Sequence, residues 1–111
     1  MGDSIEVCPG AITTTQEIMS LLEVSRGTAL IIDYGEDHAF SNSFRAIKEH
    51  KLIKDFDQIV EEVGRIDLTS YVNFAQIRKI AESNMSILPY GPMPQGLFLE
   101  CMGITMRLEL L

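Results

Sequence analysis

The stretch Thr28-Ala-Leu-Ile-Ile-Asp-Tyr34, closed by Gly35, constrains this chain more than any other. It is short, apolar and rich in β-branched residues, and it lacks the alternation of a strand with one wet face. Such a run predicts a strand buried on both faces, which a mostly parallel sheet covered by helices provides. The preceding segment agrees. Thr14 and Glu17 have capping-box spacing, Ile18, Leu21 and Leu22 recur at helical intervals, and Gly27 predicts a left-handed stop. A helix over 13–25 that feeds a buried strand is the αβ half of an α/β unit.

Beyond Gly35 the pattern loosens. Residues 36–43 read as a loop leaving the strand's carboxyl end. Residues 44–50 and 56–63 are each compatible with a short helix or an extended piece. Asn73 predicts a helix start, its side chain capping Gln76, with Phe74, Ile77, Ile80 and Ala81 on one stripe. Met85 to Tyr90 predicts a short strand stopped by Gly91-Pro92. Pro94 opens a helix through Met102, closed by Gly103. From Ile104 to Leu110 apolar and polar residues alternate, which taken alone predicts a strand. The chain then stops at Leu111 on an apolar residue, as a severed end would.

With 111 residues, 46% of them apolar and 23% charged, the composition is that of one globular domain at most. Sixteen acidic against nine basic residues leave a net charge of −7, which argues against nucleic acid and against anionic lipid as partners. No window nears the roughly 18 apolar residues of a membrane span. No base precedes Arg26, so a leader, if one exists, is expected upstream of this chain. Cys8 and Cys101 stand apart, which predicts a reducing compartment and two small buried apolar residues.

Chemistry-bearing residues concentrate in Asp33-Tyr34-Gly35-Glu36-Asp37-His38. Ligands of open α/β sheets bind at the carboxyl ends of strands, so substrate contact is the functional reading of this loop. Its spacing matches no recognised metal motif, and adjacent side chains cannot all point inward, so a solvated loop is the alternative. His50, between Glu49 and Lys51, reads as a surface residue, and Glu61 and Glu62 as a solvated face. There is no nucleophile elbow, no Gly-x-Gly-x-x-Gly and no phosphate loop. The residues alone give no complete catalytic set.

Several stretches in order resemble the MidA-like family of protein arginine methyltransferases, which includes the mitochondrial complex I assembly factors. Glu6-Val7-Cys8-Pro9 is similar to the Glu-Val-[Ser/Cys]-Pro that opens a family helix, and Ala29 to Gly35 to the strand ending in Asp-Tyr-Gly. Ser43-Phe44-Arg45-Ala46 and His50-Lys51 resemble its Thr-[Leu/Phe]-Arg and His-[Arg/Lys]. Asp67-Leu68-Thr69-Ser70-Tyr71-Val72-Asn73-Phe74 is similar to Asp-Leu-Thr-x-x-Val-Asp-Phe. Gly91-Pro92, Gln95, Phe98-Leu99 and Met102-Gly103-Ile104, continued by Arg107, resemble a later block. Two departures stand out: Glu36 where the family has His, and Asn73 where it has Asp.

The resemblance implies an α/β fold, a partial class I (Rossmann-like) methyltransferase domain over 1–111 from the fifth strand onward, with the amino-terminal cofactor-binding half absent. It implies a parent enzyme that transfers methyl from S-adenosylmethionine to arginine of a respiratory complex I subunit in mitochondria. The Gly-rich turn and the ribose-binding acid of such enzymes are not in this sequence, so no cofactor-binding residue and no metal ligand is expected here. Asp33 and Tyr34 are the substrate-side candidates; the catalytic residues are unassigned. Residues 104–111 become helical under the resemblance, against their alternation. A piece of this kind is expected to expose strand 28–34 and to self-associate. The rival reading is a non-catalytic interaction module derived from the same family.

Overall fold

The computed structural model describes residues 5–110, with the side chain of Phe56 left aside. Helix and strand are mixed. In chain order the elements are α1 (Pro9–Ser25), β1 (Gly35–Glu36), β2 (Arg45–Lys48), β3 (Lys51–Ile53), α2 (Phe56–Glu61), β4 (Asp67–Thr69), β5 (Val72–Asn73), α3 (Phe74–Glu82), α4 (Gln95–Cys101) and α5 (Ile104–Leu108).

Helix α1 starts at Pro9, four residues before the expected start. Proline suits the first helical position because its missing N–H would have no partner there. Thr14, whose spacing from Glu17 suggested a cap, lies inside the helix, as do its neighbours Thr13 and Thr15. Thr13 and Thr15 donate their hydroxyls to the carbonyls of Pro9 and Ala11 at 3.3 and 2.6 Å, one turn back. Arg26, not Gly27, takes the left-handed conformation at the end, with φ 52° and its N–H on the Leu22 carbonyl.

Residues 28–34 form no strand. Leu30 and Ile32 are 65% and 64% exposed, the reverse of burial on both faces. A two-face strand needs neighbours on both edges and layers on both sides, and the described residues supply only a short parallel partner at its end. That partner is β5: Gly35 pairs with Val72 and Glu36 with Asn73. The approach is close. A Cβ on Gly35 would lie 2.0 Å from the Val72 carbonyl oxygen, so no side chain fits there.

Between β1 and β5 the chain makes an excursion with its own three-stranded antiparallel sheet, order β3-β2-β4. Glu49 and His50 turn the β2–β3 hairpin, both at positive φ (50° and 63°) as a two-residue turn of the primed type requires. His50 is exposed there, as expected. Asp55 caps α2 by accepting from the Asp57 N–H at 3.0 Å. Glu62 is half-buried rather than part of a solvated face, held by Lys48 and by Gln58 at 3.1 Å.

Asn73 caps α3 as its position predicts, accepting from the Gln76 N–H at 3.1 Å. Residues 85–90 carry no ladder, so the strand expected there is absent. Helix α4 follows Pro94, and Gly103 (φ 79°) turns the chain into α5. The helix implied by resemblance prevails over the alternation from Ile104 to Leu108; Leu111 lies outside the described residues. Cys8 and Cys101 are free and exposed, not buried. Among the described residues no helix is long and apolar enough to cross a membrane.

The core is small. Helix α1 packs on α3, and Thr15, Met19 and Ala81 are buried in these helices; Ala46 and Ser43 are buried in and beside β2. No large side chain of the described residues is fully buried. With so little packing, the backbone contact at Gly35 weighs heavily. Gly35→Ala should lower stability by about 1–3 kcal/mol, the usual cost of forcing extra atoms into a filled space. Denaturant midpoints of the two chains check this; an unchanged midpoint would show that the Gly35–Val72 approach is not needed.

Candidate functional site

The parallel β1–β5 pair sets the site, because its strands end together. Glu36, Asp37 and His38 leave the carboxyl end of β1, while β5 runs directly into the amino terminus of α3. Asp33 and Tyr34 lie before β1, not at a strand's carboxyl end. The Asp33 carboxylate accepts from the Tyr34 N–H at 2.7 Å, and the Tyr34 carbonyl accepts from the Val72 N–H at 2.8 Å. Both side chains face solvent, Tyr34 at 79% exposure.

The charged loop is paired within itself and to α3. Glu36 meets His38 Nε2 at 3.0 Å, and His38 Nδ1 lies 2.9 Å from the Ala39 carbonyl. That carbonyl first, then Glu36, raises the imidazole's pKa above its ordinary 6.5. Asp37 accepts from Arg78 at 2.5 Å across 41 positions of sequence, and Glu82 stands 3.9 Å from the same guanidinium. His38 stacks at a tilt on Phe40, whose ring meets Tyr71 edge to face at 5.1 Å. No group of three or more His, Cys, Asp or Glu among the described residues is arranged to hold a metal.

A second cluster joins three distant segments. Glu6 accepts from the backbone N–H groups of Ser43 (2.7 Å) and Phe44 (3.2 Å) and from the Ser43 hydroxyl. The Ser43 oxygen in turn accepts from the Tyr71 N–H at 2.9 Å, and the Glu6 N–H donates to the Phe40 carbonyl at 2.8 Å. The Ser43 hydroxyl is the main cause of a Glu6 pKa below the usual carboxylate value; partial burial opposes it, and the two amides add to it. Next to this latch opens a cleft of about 310 Å³, bounded by the start of α1, by residues 40–44 and 70–73 and by α3.

Residues 1–93 match the model of a family described as "Putative S-adenosyl-L-methionine-dependent methyltransferase". The chain is 36% identical over 109 residues to the human mitochondrial protein arginine methyltransferase NDUFAF7, covering 98% of this chain and 23% of the human protein. It is 36% identical over 107 residues to the Danio rerio protein of that name (96% and 24% of the two chains). To the Drosophila melanogaster homolog it is 44% identical over 88 residues (79% and 19%). The chain thus spans about a quarter of the length of the curated relatives it matches.

The chain belongs to this methyltransferase family. Of the loop singled out in the sequence, Glu36, Asp37 and His38 stand at the ladder's end, and Asp33 and Tyr34 stand one step before it. Glu6, Ser43 and Arg78 were not singled out as site residues. Their contacts span 28 to 41 positions, beyond the reach of any local pattern; Glu6 and Ser43 stand in the sequence only as the first residues of two family-like motifs.

The ladder end leaves no space at Gly35 for the family's cofactor, S-adenosylmethionine. Among the described residues Gly35 is the one glycine in the ladder, and the space its missing Cβ leaves is closed by the Val72 carbonyl.

Acid should loosen the latch. Glu6 has a folded pKa below its ordinary 4.5, so its contribution is complete above that value and is lost as pH falls through the folded one. Glu62, lowered chiefly by Lys48, has the same sign, while His38 has the opposite sign and its contribution fades as pH rises. The stability gap between the native chain and Glu6→Gln should be constant above about pH 5 and close at lower pH. Denaturation across pH 3–7 reads it. A gap independent of pH would mean that Glu6 acts through shape alone.

Proposed function

We propose that this chain is the substrate-side part of an S-adenosylmethionine-dependent protein arginine methyltransferase, a partial class I fold whose acceptor is a respiratory complex I subunit in mitochondria. The observation that carries the reading is the family match together with a parallel ladder whose carboxyl end gathers Glu36, Asp37 and His38. The curated relatives are named as mitochondrial protein arginine methyltransferases, which supports arginine as the acceptor and mitochondria as the place. A guanidinium is planar and permanently charged, so an enzyme that methylates it must hold it with carboxylates. Asp33, exposed beside the ladder with Tyr34 next to it, is the substrate-side residue of this proposal.

Two measurements test the reading together. This chain alone, titrated calorimetrically with S-adenosylmethionine, should show no micromolar binding. In an enzyme extended to the length of its relatives, Asp33→Asn should lower methyl transfer at least about tenfold, the scale of one charge-assisted contact, while cofactor affinity stays within about twofold. Micromolar binding by the chain would place the cofactor pocket in these residues. Full turnover in the variant would remove Asp33 from the site.

The exposed run at 28–34 supports self-association of the chain by itself. Leu30, Ile31 and Ile32 are open to solvent, and the backbone before Tyr34 has no ladder partner among the described residues. Sedimentation should show dimers or larger species at micromolar concentration, and replacing Leu30 and Ile32 by threonine should reduce them. A sharp monomer boundary with cooperative unfolding would favour a self-contained small domain.

A further inference from the structure

The cleft beside the Glu6 latch carries a chemistry that the charged loop does not. Its volume of about 310 Å³ is at the small end of the ~300–1,000 Å³ usual for ligand sites, with room for one long side chain. Its wall combines one acidic residue, Glu6, with the aromatic residues Phe40, Phe44 and Tyr71, the amide residues Asn73 and Gln76, and aliphatic residues of α1, β5 and α3.

Glu6 is only partly used. An ionised carboxylate offers about four lone-pair positions. The Ser43 and Phe44 amides occupy two on Oε1 and the Ser43 hydroxyl one on Oε2, so Oε2 can accept once more. The three donors also keep the group charged without a cation. Arg45 is near enough to be felt, yet its guanidinium donates to the Asn42 and Phe44 carbonyls at 2.9 and 2.8 Å, and no ion pair to Glu6 forms among the described residues. Gln76 lines the same cleft, and its side-chain amide has no hydrogen bond among the described residues, which leaves a second acceptor there.

A half-buried carboxylate with no cationic partner among the described residues calls for a cation, and the aromatic residues of the wall favour a flat one. A guanidinium stacks on rings while its edge donates to oxygen, whereas an ammonium is a compact, strongly hydrated point charge. We propose that this cleft holds the arginine side chain of a protein substrate, with Glu6 and Gln76 accepting from the guanidinium and the aromatic side chains covering it. The inference rests on the arginine methyltransferase reading; it gives the guanidinium to Glu6, beside Val72 and Asn73 of the ladder, and leaves Asp33, which does not line this cleft, to meet the substrate outside it.

Nitrogen-15 NMR of the chain with three capped tripeptides, Gly-Arg-Gly and its citrulline and lysine counterparts, decides the matter. The arginine peptide should shift the amides of Tyr71, Asn73 and Gln76 saturably. The citrulline peptide, isosteric but uncharged, should bind roughly tenfold more weakly, the loss of one charge-assisted hydrogen bond, and the lysine peptide should also bind more weakly. Phe40→Leu should weaken arginine binding severalfold while the Ser43 amide signal holds, because Glu6 bonds the backbone of residue 40 and not its ring. Equal affinity for arginine and citrulline peptides, or shifts confined to residues outside the cleft, would overturn the site. Arginine-selective shifts in a chain whose longer form methylates some other acceptor would uphold the site and sink the proposed reaction.

Discussion

The contact of Gly35 with the Val72 carbonyl decides where everything else in the molecule can be. It puts positions 36 and 73 side by side although the whole three-stranded excursion lies between them in sequence. Loop closure over such a length costs little more than over a short one, since the entropy grows only with the logarithm of length. The contact must therefore be specific rather than strong, and absence of a Cβ makes it so. Any other residue at position 35 would push β5 away and, with it, the Asn73 cap that starts α3.

The charged groups exploit this juncture. Arg78 lies on α3 and Asp37 just past β1, so their bond ties the helix to the strand end across the ladder. Glu6 ties the residues before α1 to both flanks of the excursion, at Ser43 and, through Ser43, at Tyr71. Each is a charge-assisted bond in a partly exposed setting, where it specifies geometry more than it adds stability. That division suits a chain with few buried apolar side chains. Polar clamps set the positions, and packing of α1 on α3 supplies what core there is.

What could be read from the sequence was whatever is decided within one turn of helix. The Asn73 cap, the Phe74–Ala81 stripe, the start of α4 after Pro94 and the Gly103 turn are all local, and all are where the residues predict. The start of α1 was misplaced for a local reason too: a capping-box spacing outweighed a proline at the first position. Strand 28–34 was misread for a different reason. An apolar run reports that a segment suits burial in a sheet, but the sheet is made by other strands, and the run cannot supply them. The alternation at Ile104–Leu110 misled because period two is weak evidence over so few residues, and the family resemblance corrected it.

The candidate site was legible in its charge and illegible in its shape. Three carboxylates, a phenol and an imidazole between Asp33 and His38 stand out in the sequence, and the structure puts Glu36, Asp37 and His38 at the end of the β1–β5 ladder. Which of them faces what depended on partners dozens of residues away. His38 turned out to be paired with Glu36, the very position at which the resembled family carries histidine, so an imidazole still reaches that strand end from two residues further on. In the sequence Glu6 stands out only as the first residue of a family-like motif. Its importance follows from Ser43, which is 4% exposed and spends its hydroxyl wholly between Glu6 and Tyr71. A buried serine with both roles used is a fixed joint, and a carboxylate fastened to such a joint on one side, with a lone pair left on the other, is oriented before any ligand arrives.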